Sequence, residues 1–265
     1  MHQPLKFTKS GHIFIDNKDD PSGIALALDI IAYREEFCLA LDLSPAFIAR
    51  LMAAGFLVMS IVPENAPPDD VVLLAEMHLE RSVMFFDKLH ESRSAKRLIS
   101  RYELRVDGLG RETQPGSPAD PAGGPFLFDT VLERCAQVHG EDWLTPALRR
   151  AFHALRRVQV PGDAGTPAPH TPRMVSFGLY REGRLVAGEF GVVAGRVYTS
   201  YSGYTDENSA GTVQMILTGR LLRDRGFAFW DLGMLLPYKE SLGARALSRR
   251  EFLERFRKAQ GRPLT

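Results

Sequence analysis

MVSFGLYREGRLVAGEFGVVAGRVYTSY, residues 174–201, decides the fold class. Three apolar runs, Met174 to Tyr180, Arg184 to Val192 and Val197 to Tyr201, are broken by Arg181-Glu182-Gly183 and Ala194-Gly195. Short β-rich runs separated by glycine-bearing turns predict an antiparallel meander. Downstream the period lengthens. A helix is expected from about Ser209 to Arg225, with Gly226 as its stop, and Phe227 to Leu232 reads as a short apolar strand. Ser248 with Glu251 three residues on forms a capping box, opening a last helix to about Ala259. Strands followed by helix, strand and helix predict an α+β domain.

Upstream the signals are helical. Ser44-Pro45 is a cap and first-turn pair; Phe47, Ile48, Leu51 and Met52 give one apolar face, and Gly55 closes the helix. Leu73 to Arg101 carries apolar residues at helical spacing with a basic end, although Met84-Phe85-Phe86 fits a strand equally. Two more helices are expected, from about Asp129 to Val138 and from Thr145-Pro146, the latter with Leu148, Ala151, Phe152 and Leu155 on one side. Residues 108–125 and 160–173 are rich in Gly and Pro and read as exposed loops, and no internal repeat is found.

The chain has 265 residues, 45% hydrophobic and 25% charged, as in an ordinary globular protein with ample core. A net charge of +1 confines any nucleic-acid surface to a local patch. Two cysteines, Cys38 and Cys135, are too few for a disulfide framework and lie in apolar patterns, so buried reduced thiols are expected. Residues 1–16 lack the apolar stretch of a signal peptide, and no run approaches the ~20 residues that span a bilayer. A cytoplasmic protein with no membrane partner is the expectation.

Several motifs follow one another in a recognisable order. Asp42-Leu43-Ser44-Pro45 precedes Gly55-Phe56, and Leu89-His90-Glu91-Ser92-Arg93-Ser94-Ala95-Lys96-Arg97 follows. Next come Cys135-Ala136, Trp143-Leu144-Thr145 and Ala151-Phe152-His153. Leu185-Val186-Ala187-Gly188 with Gly191-Val192, then Ser241-Leu242-Gly243-Ala244 with Arg249 and Arg250, complete the set. Across about four-fifths of the chain this order resembles the leucyl/phenylalanyl-tRNA–protein transferase family. Its patterns there read GDLSP…GIF, LHxSRSxxR, CA…TWIT, AYxxLH, LVGGxYG and SLGAxxxxR.

The resemblance implies a GNAT-like (acyl-CoA N-acyltransferase-like) domain over 86–265 and a smaller N-terminal α+β domain over 1–85. It implies transfer of leucine or phenylalanine from aminoacyl-tRNA to the N-terminal amine of an acceptor that begins with Arg or Lys, which marks that protein for degradation. Neither metal nor nucleotide cofactor is implied. The family's Asp-x-Gln triad falls on Asp231-Leu232-Gly233, so Asp231 is the expected catalytic residue, while Gly233 replaces the glutamine. The glutamate of the family's GES segment falls at Tyr201. Expected substrate contacts are Trp143, Tyr198, Tyr201, Ser202, Thr218 and Gly233. Asp231 reads alternatively as a turn residue at a strand end, and Tyr198, Tyr201 and Tyr204 as cross-strand aromatic packing. Of the family's Trp-Trp-Ser-Pro-Asp-Pro stretch only the following arginine has a counterpart, Arg81.

Attack of an amine on an aminoacyl ester needs an unprotonated nitrogen at near-attack distance and help for charge growing on the carbonyl oxygen. A carboxylate that orients the amine suits this chemistry. For the nucleic acid, Arg93, Lys96, Arg97 and Arg101 have helical spacing that can track phosphates, with Arg81 beside them by resemblance. Arg149, Arg150, Arg156 and Arg157 form a second cluster; Arg249, Arg250, Arg255, Arg257 and Lys258 form a third. Solvated, ion-paired helix faces explain such clusters equally well. Acetyl-CoA chemistry is disfavoured, because Asp206 to Thr212 is acidic and lacks the glycine spacing of a pyrophosphate turn. Two further readings are a degenerate homologue that binds tRNA or N-terminal peptides without transfer, and a transferase with altered substrates.

Overall fold

The computed structural model describes residues 4–109, 127–157 and 171–260. The two Gly/Pro-rich stretches expected as loops lie for the most part outside them.

The first part of the chain builds β1 (Lys6–Phe7), β2 (Ile13–Phe14), α1 (Pro21–Ile30), β3 (Phe37–Ala40), α2 (Pro45–Ala53), β4 (Leu57–Ile61) and β5 (Val72–Glu76). Its five strands form a sheet in the order β1-β2-β3-β5-β4, mixed because β2 runs parallel to β3. Asp20 caps α1 by accepting the amides of Ser22 and Gly23, with Pro21 at the first turn. Ser44 precedes α2 as expected but makes no side-chain cap bond; its own amide donates to Asp42 Oδ1 at 2.7 Å.

The remainder builds β6 (Glu80–Met84), α3 (Arg93–Leu98), β7 (Glu103–Asp107), α4 (Leu127–His139), α5 (Pro146–Arg157), β8 (Arg173–Arg181), β9 (Arg184–Ala194), β10 (Val197–Thr205), α6 (Ala210–Asp224), β11 (Phe229–Asp231), α7 (Pro237–Ser241), β12 (Arg245–Ser248) and α8 (Arg249–Gln260). Seven strands form the larger sheet, β12-β6-β11-β10-β9-β8-β7, antiparallel except where β10 and β11 run parallel. The fold is α+β with two open, mixed sheets.

The expected meander is β8-β9-β10. Glu182 (φ 51°) and Gly183 (φ 78°) fill the two-residue turn between β8 and β9 in the left-handed region that such hairpins need. The capping box is present too: the Glu251 amide donates to Ser248 Oγ, and Ser248 N–H donates to Glu251 Oε2, each at 3.3 Å.

The region from Leu73 to Arg101 corrects the helical expectation. It forms β5, β6, a single-turn segment Phe86–Lys88, the short α3 and a further turn Ile99–Arg101. Leu73, Leu74 and Ala75 are consecutive buried residues of β5, and Arg81, Ser82, Val83 and Met84 of β6, so both faces of each strand are covered and no alternation betrays them. Strand β6 falls within residues 1–85, yet it sits in the larger sheet between β11 and β12. One core runs from Ile13 through Phe47, Phe152 and Phe190 to Phe252 and Phe256, joining both sheets.

Both cysteines are buried and unpaired, and burial pushes each thiol up to about 12, which keeps it inert. Among the described residues no helix is long and apolar enough to cross a membrane.

Candidate active site

Strand β10 pairs with β11 only at Val197, Tyr198 and Thr199, because β11 ends at Asp231. Beyond that point the edge of β10 has no strand beside it on this side. The chain instead swings through Leu232 into α7 and leaves a gap under α6. A cavity of about 530 Å³ occupies the gap, lined by Glu189 of β9, the stretch 200–205 of β10, the first turns of α6, and Leu232, Tyr238 and Lys239.

A bulge shapes the β10 wall. Ser200 faces Gly191 and Ser202 faces Phe190, so Tyr201 is the extra residue in its strand. It stacks on Phe190 (centroids 6.1 Å apart) and meets the Phe152 ring edge-on at 5.5 Å. Its hydroxyl accepts the Val58 amide at 3.1 Å, tying the cavity wall to the small sheet.

Among the described residues Glu189 is the only carboxylate on the lining. It is 6% exposed. Oε1 accepts from the Ser200 hydroxyl, which itself accepts from Trp230 Nε1 at 2.7 Å, and Oε2 accepts from Gln214 Nε2 at 3.2 Å. Among the described residues no cation stands within ion-pair distance of it. Burial pushes its carboxyl above the usual range, against the opposing pull of the donors around it and of the more distant Lys239 charge.

Lys239 is also buried, and its Nζ donates to the carbonyls of Leu232 and Met234. Burial lowers its pKa, while the Asp231 and Glu189 charges work the other way.

Of the residues expected at the site, Tyr201 and Ser202 line the cavity. The others lie off its lining. Tyr198 is fully buried between Phe177 (5.1 Å) and Trp230 (6.0 Å), as cross-strand packing. Thr218 is fully buried in α6. Trp143 packs half-buried against the core, and its carbonyl accepts the Ser60 amide at 2.9 Å. Gly233 adopts φ 70°, and its amide donates to Asp231.

Asp231 is fully enclosed and off the cavity lining. Its oxygens accept from Arg81 Nε (3.0 Å), Arg81 Nη2 (2.6 Å), Thr199 Oγ1 (3.0 Å) and the Gly233 amide (3.0 Å). With all these donors it is a junction, joining β11 to β6, β10 and the turn at Gly233.

Arg81 corrects the nucleic-acid expectation. It is 1% exposed, lies 4.5 Å over the Phe252 ring, and donates to the Gly55 carbonyl as well as to Asp231, so phosphates have no access to it. Arg249, placed in the third basic cluster, is likewise buried and donates to the carbonyls of Tyr33, Glu35 and Met77. Arg93, Lys96 and Arg97 are exposed on α3, Lys96 within 3.8 Å of Glu91. In the second cluster Arg149 and Arg156 are ion-paired, with Glu141 and Asp107. The acidic turn before α6 is engaged as well: Asp206 pairs with Arg134, and Glu207 with Arg181 and Arg184.

Sequence reasoning missed Glu189 and Lys239. A signal for Glu189 existed: it is the lone charge inside the apolar run Leu185 to Ala194. Nothing marked Lys239.

Comparison with known proteins gives this cavity a context. A family model described as leucyl/phenylalanyl-tRNA protein transferase matches residues 126–257, and every cavity-lining residue falls inside that span. The leucyl/phenylalanyl-tRNA–protein transferase of Pseudomonas aeruginosa is 28% identical over 188 residues, 70% of this chain and 70% of the relative. That of Escherichia coli O81 is 28% identical over 214 residues, 80% of this chain and 76% of the relative. That of Syntrophobacter fumaroxidans reaches 32% over 130 residues, 48% of this chain and 50% of the relative. Among solved structures, FemX is similar at a TM-score of 0.41 and 10% identity, covering 92% of this chain and 81% of that one. L-PGS from Bacillus licheniformis follows at 0.38 and 11%, covering 98% and 90%. Likeness at that level carries no argument. The sequence matches do: the chain belongs to the leucyl/phenylalanyl-tRNA–protein transferase family, whose activity is of the aminoacyltransferase type.

Proposed function

We propose that this protein, on a GNAT-like scaffold, moves a Leu- or Phe-like amino acid from aminoacyl-tRNA to the N-terminal amine of an acceptor protein, and so marks that protein for degradation. One observation carries the reading: the cavity beside β10 lies wholly within the span matched by the transferase family model. In the reaction the amine nitrogen bonds to the ester carbonyl carbon, the carbon–oxygen bond to the terminal ribose breaks, and the ribose oxygen leaves as a hydroxyl. Holding the two reactants in one enclosed space supplies much of the rate. The exposed Arg93, Lys96 and Arg97 would meet phosphates of the acceptor stem.

A second reading keeps the transferase but changes its amino acid. Tyr201 stands where the family has glutamate, and the wall beside it carries Glu189 and Lys239. Single-turnover transfer of labelled amino acid from a panel of aminoacyl-tRNAs onto peptides beginning with Arg, Lys, Asp or Glu separates the two. Transfer of leucine or phenylalanine onto the Arg and Lys peptides is expected. Transfer of some other amino acid favours the second reading, and no transfer from any of them sinks both.

A further inference from the structure

We propose that Glu189 receives the N-terminal α-amine of the acceptor polypeptide inside the cavity; this rests on the transferase reading of that site. The family's acidic and amide positions hold Tyr201, which has no carboxylate, and Gly233, which has no side chain. The aspartate that remains, Asp231, spends its oxygens on Arg81, Thr199 and the Gly233 amide and does not reach the cavity. Glu189 is the carboxylate that does.

Its surroundings point to a cation. A carboxylate offers about four acceptor positions; here Ser200 and Gln214 fill two, and the Tyr198 hydroxyl faces it as a third donor. All three donors are neutral. A buried charge is costly unless it is paired, and the protein brings no cation to it within ion-pair distance among the described residues. Lys239, on the same lining, is instead held by two backbone carbonyls. An incoming ammonium completes the arrangement through a charge-assisted hydrogen bond. Apolar side chains are poor occupants of that spot, because they would leave the carboxylate desolvated with nothing in return.

The same contact serves the chemistry. The ammonium gives one proton to Glu189 and becomes a neutral amine. That nitrogen then bonds to the ester carbonyl carbon. The ester carbon–oxygen bond breaks, and the departing ribose oxygen takes a second proton from the nitrogen. Glu189 returns its proton to solvent, so the net products are the amide, the tRNA hydroxyl and one proton. Burial favours the proton transfer, since it makes this carboxylate a stronger base than an exposed one.

The test uses the full chain and two pairs of probes, read by calorimetric titration. One pair is a short peptide beginning with arginine, with its amine free or N-acetylated. The other is a 3′-aminoacyl adenosine amide, with its amine free or N-acetylated. Wild type is expected to prefer the free-amine peptide by about tenfold, and Glu189→Gln is expected to bind both peptides alike. Glu189→Asp should restore part of the preference, and a melt of each variant verifies that it is folded. The proposal is overturned by a Glu189→Gln protein that keeps the preference, by a wild type that shows none, or by a preference confined to the adenosine pair. In parallel, single-turnover transfer is measured for both proteins. Transfer that survives in a Glu189→Gln protein with its amine preference intact removes this assignment and leaves the transferase reading standing. An amine preference that depends on Glu189, with no transfer from any aminoacyl-tRNA, does the reverse.

Discussion

Asp231 and Glu189 are two carboxylates taken out of water in different ways. Asp231 is fully enclosed at the end of β11, where Arg81 grips both of its oxygens and Thr199 and the Gly233 amide add hydrogen bonds. Glu189 is 6% exposed on β9 and has neutral donors alone. The first is a finished interaction, whose charge is matched and whose removal is a matter of stability. The second keeps spare acceptor capacity at the edge of a cavity and gives up stability to do so. Burial by itself therefore does not mark a functional carboxylate. What marks one is burial without a matching charge, next to open space.

The sharpest way to break this contrast is at Arg81. Arg81→Met leaves Asp231 buried without its cation and should cost ~3–5 kcal/mol in urea unfolding. Adding Asp231→Leu should recover most of the loss. A single variant as stable as wild type would show that the junction is no junction. The next effect has the opposite sign. Glu189→Gln should stabilise the protein at pH 8 by about 1–3 kcal/mol. The sign follows from the raised carboxyl: the folded state holds this proton more tightly than the unfolded chain, so protonation favours folding. The gain should accordingly shrink as pH falls through the raised folded value toward the ordinary 4.5, and thermal melts across that window check it.

Tyr201→Phe probes the strap between the two regions. It leaves the buried Val58 amide without its acceptor and should cost about 1 kcal/mol in the same unfolding assay. The smallest effect on stability belongs to the exposed cations. Arg93→Ala and Arg97→Ala should leave the melt unchanged, while each lowers the slope of log tRNA affinity against log salt by roughly 0.7–0.9. Equal slopes in variant and wild type would remove α3 from the nucleic-acid surface.

Much of this molecule was legible beforehand, and the illegible part has a common cause. β8, β9 and β10 could be read because Glu182-Gly183 and Ala194-Gly195 punctuate them, and α8 because Ser248 and Glu251 cap each other across three residues. Those signals are local. β5 and β6 could not be read, because both faces of each strand are covered: Leu73 to Ala75 show no alternation, and β6 buries the polar Arg81 and Ser82 beside Val83 and Met84. The site divides along the same line. Tyr201 and Ser202 were located by motif order, and both line the cavity. The Arg81–Asp231 pair spans 150 residues of chain, so on sequence alone Arg81 reads as a phosphate contact and Asp231 as a catalytic or turn residue, and neither as the other's partner. Glu189 showed itself only as an odd charge among apolar neighbours, a signal that acquires meaning once the gap beside β10 is seen.

Strand β6 has one more consequence, which concerns time. It lies between β11 and β12, and Arg249 closes its guanidinium onto the carbonyls of Tyr33, Glu35 and Met77. On a ribosome, residues 80–84 therefore leave the exit tunnel long before either neighbouring strand has been made. The Arg249 link between the sheets, which adds to the Tyr201–Val58 strap, waits longer still, until the start of α8 emerges. The β12-β6-β11 side of the larger sheet is thus committed only once residues 229–248 have been made, and a nascent chain stalled before residue 229 would present β6 with both edges open.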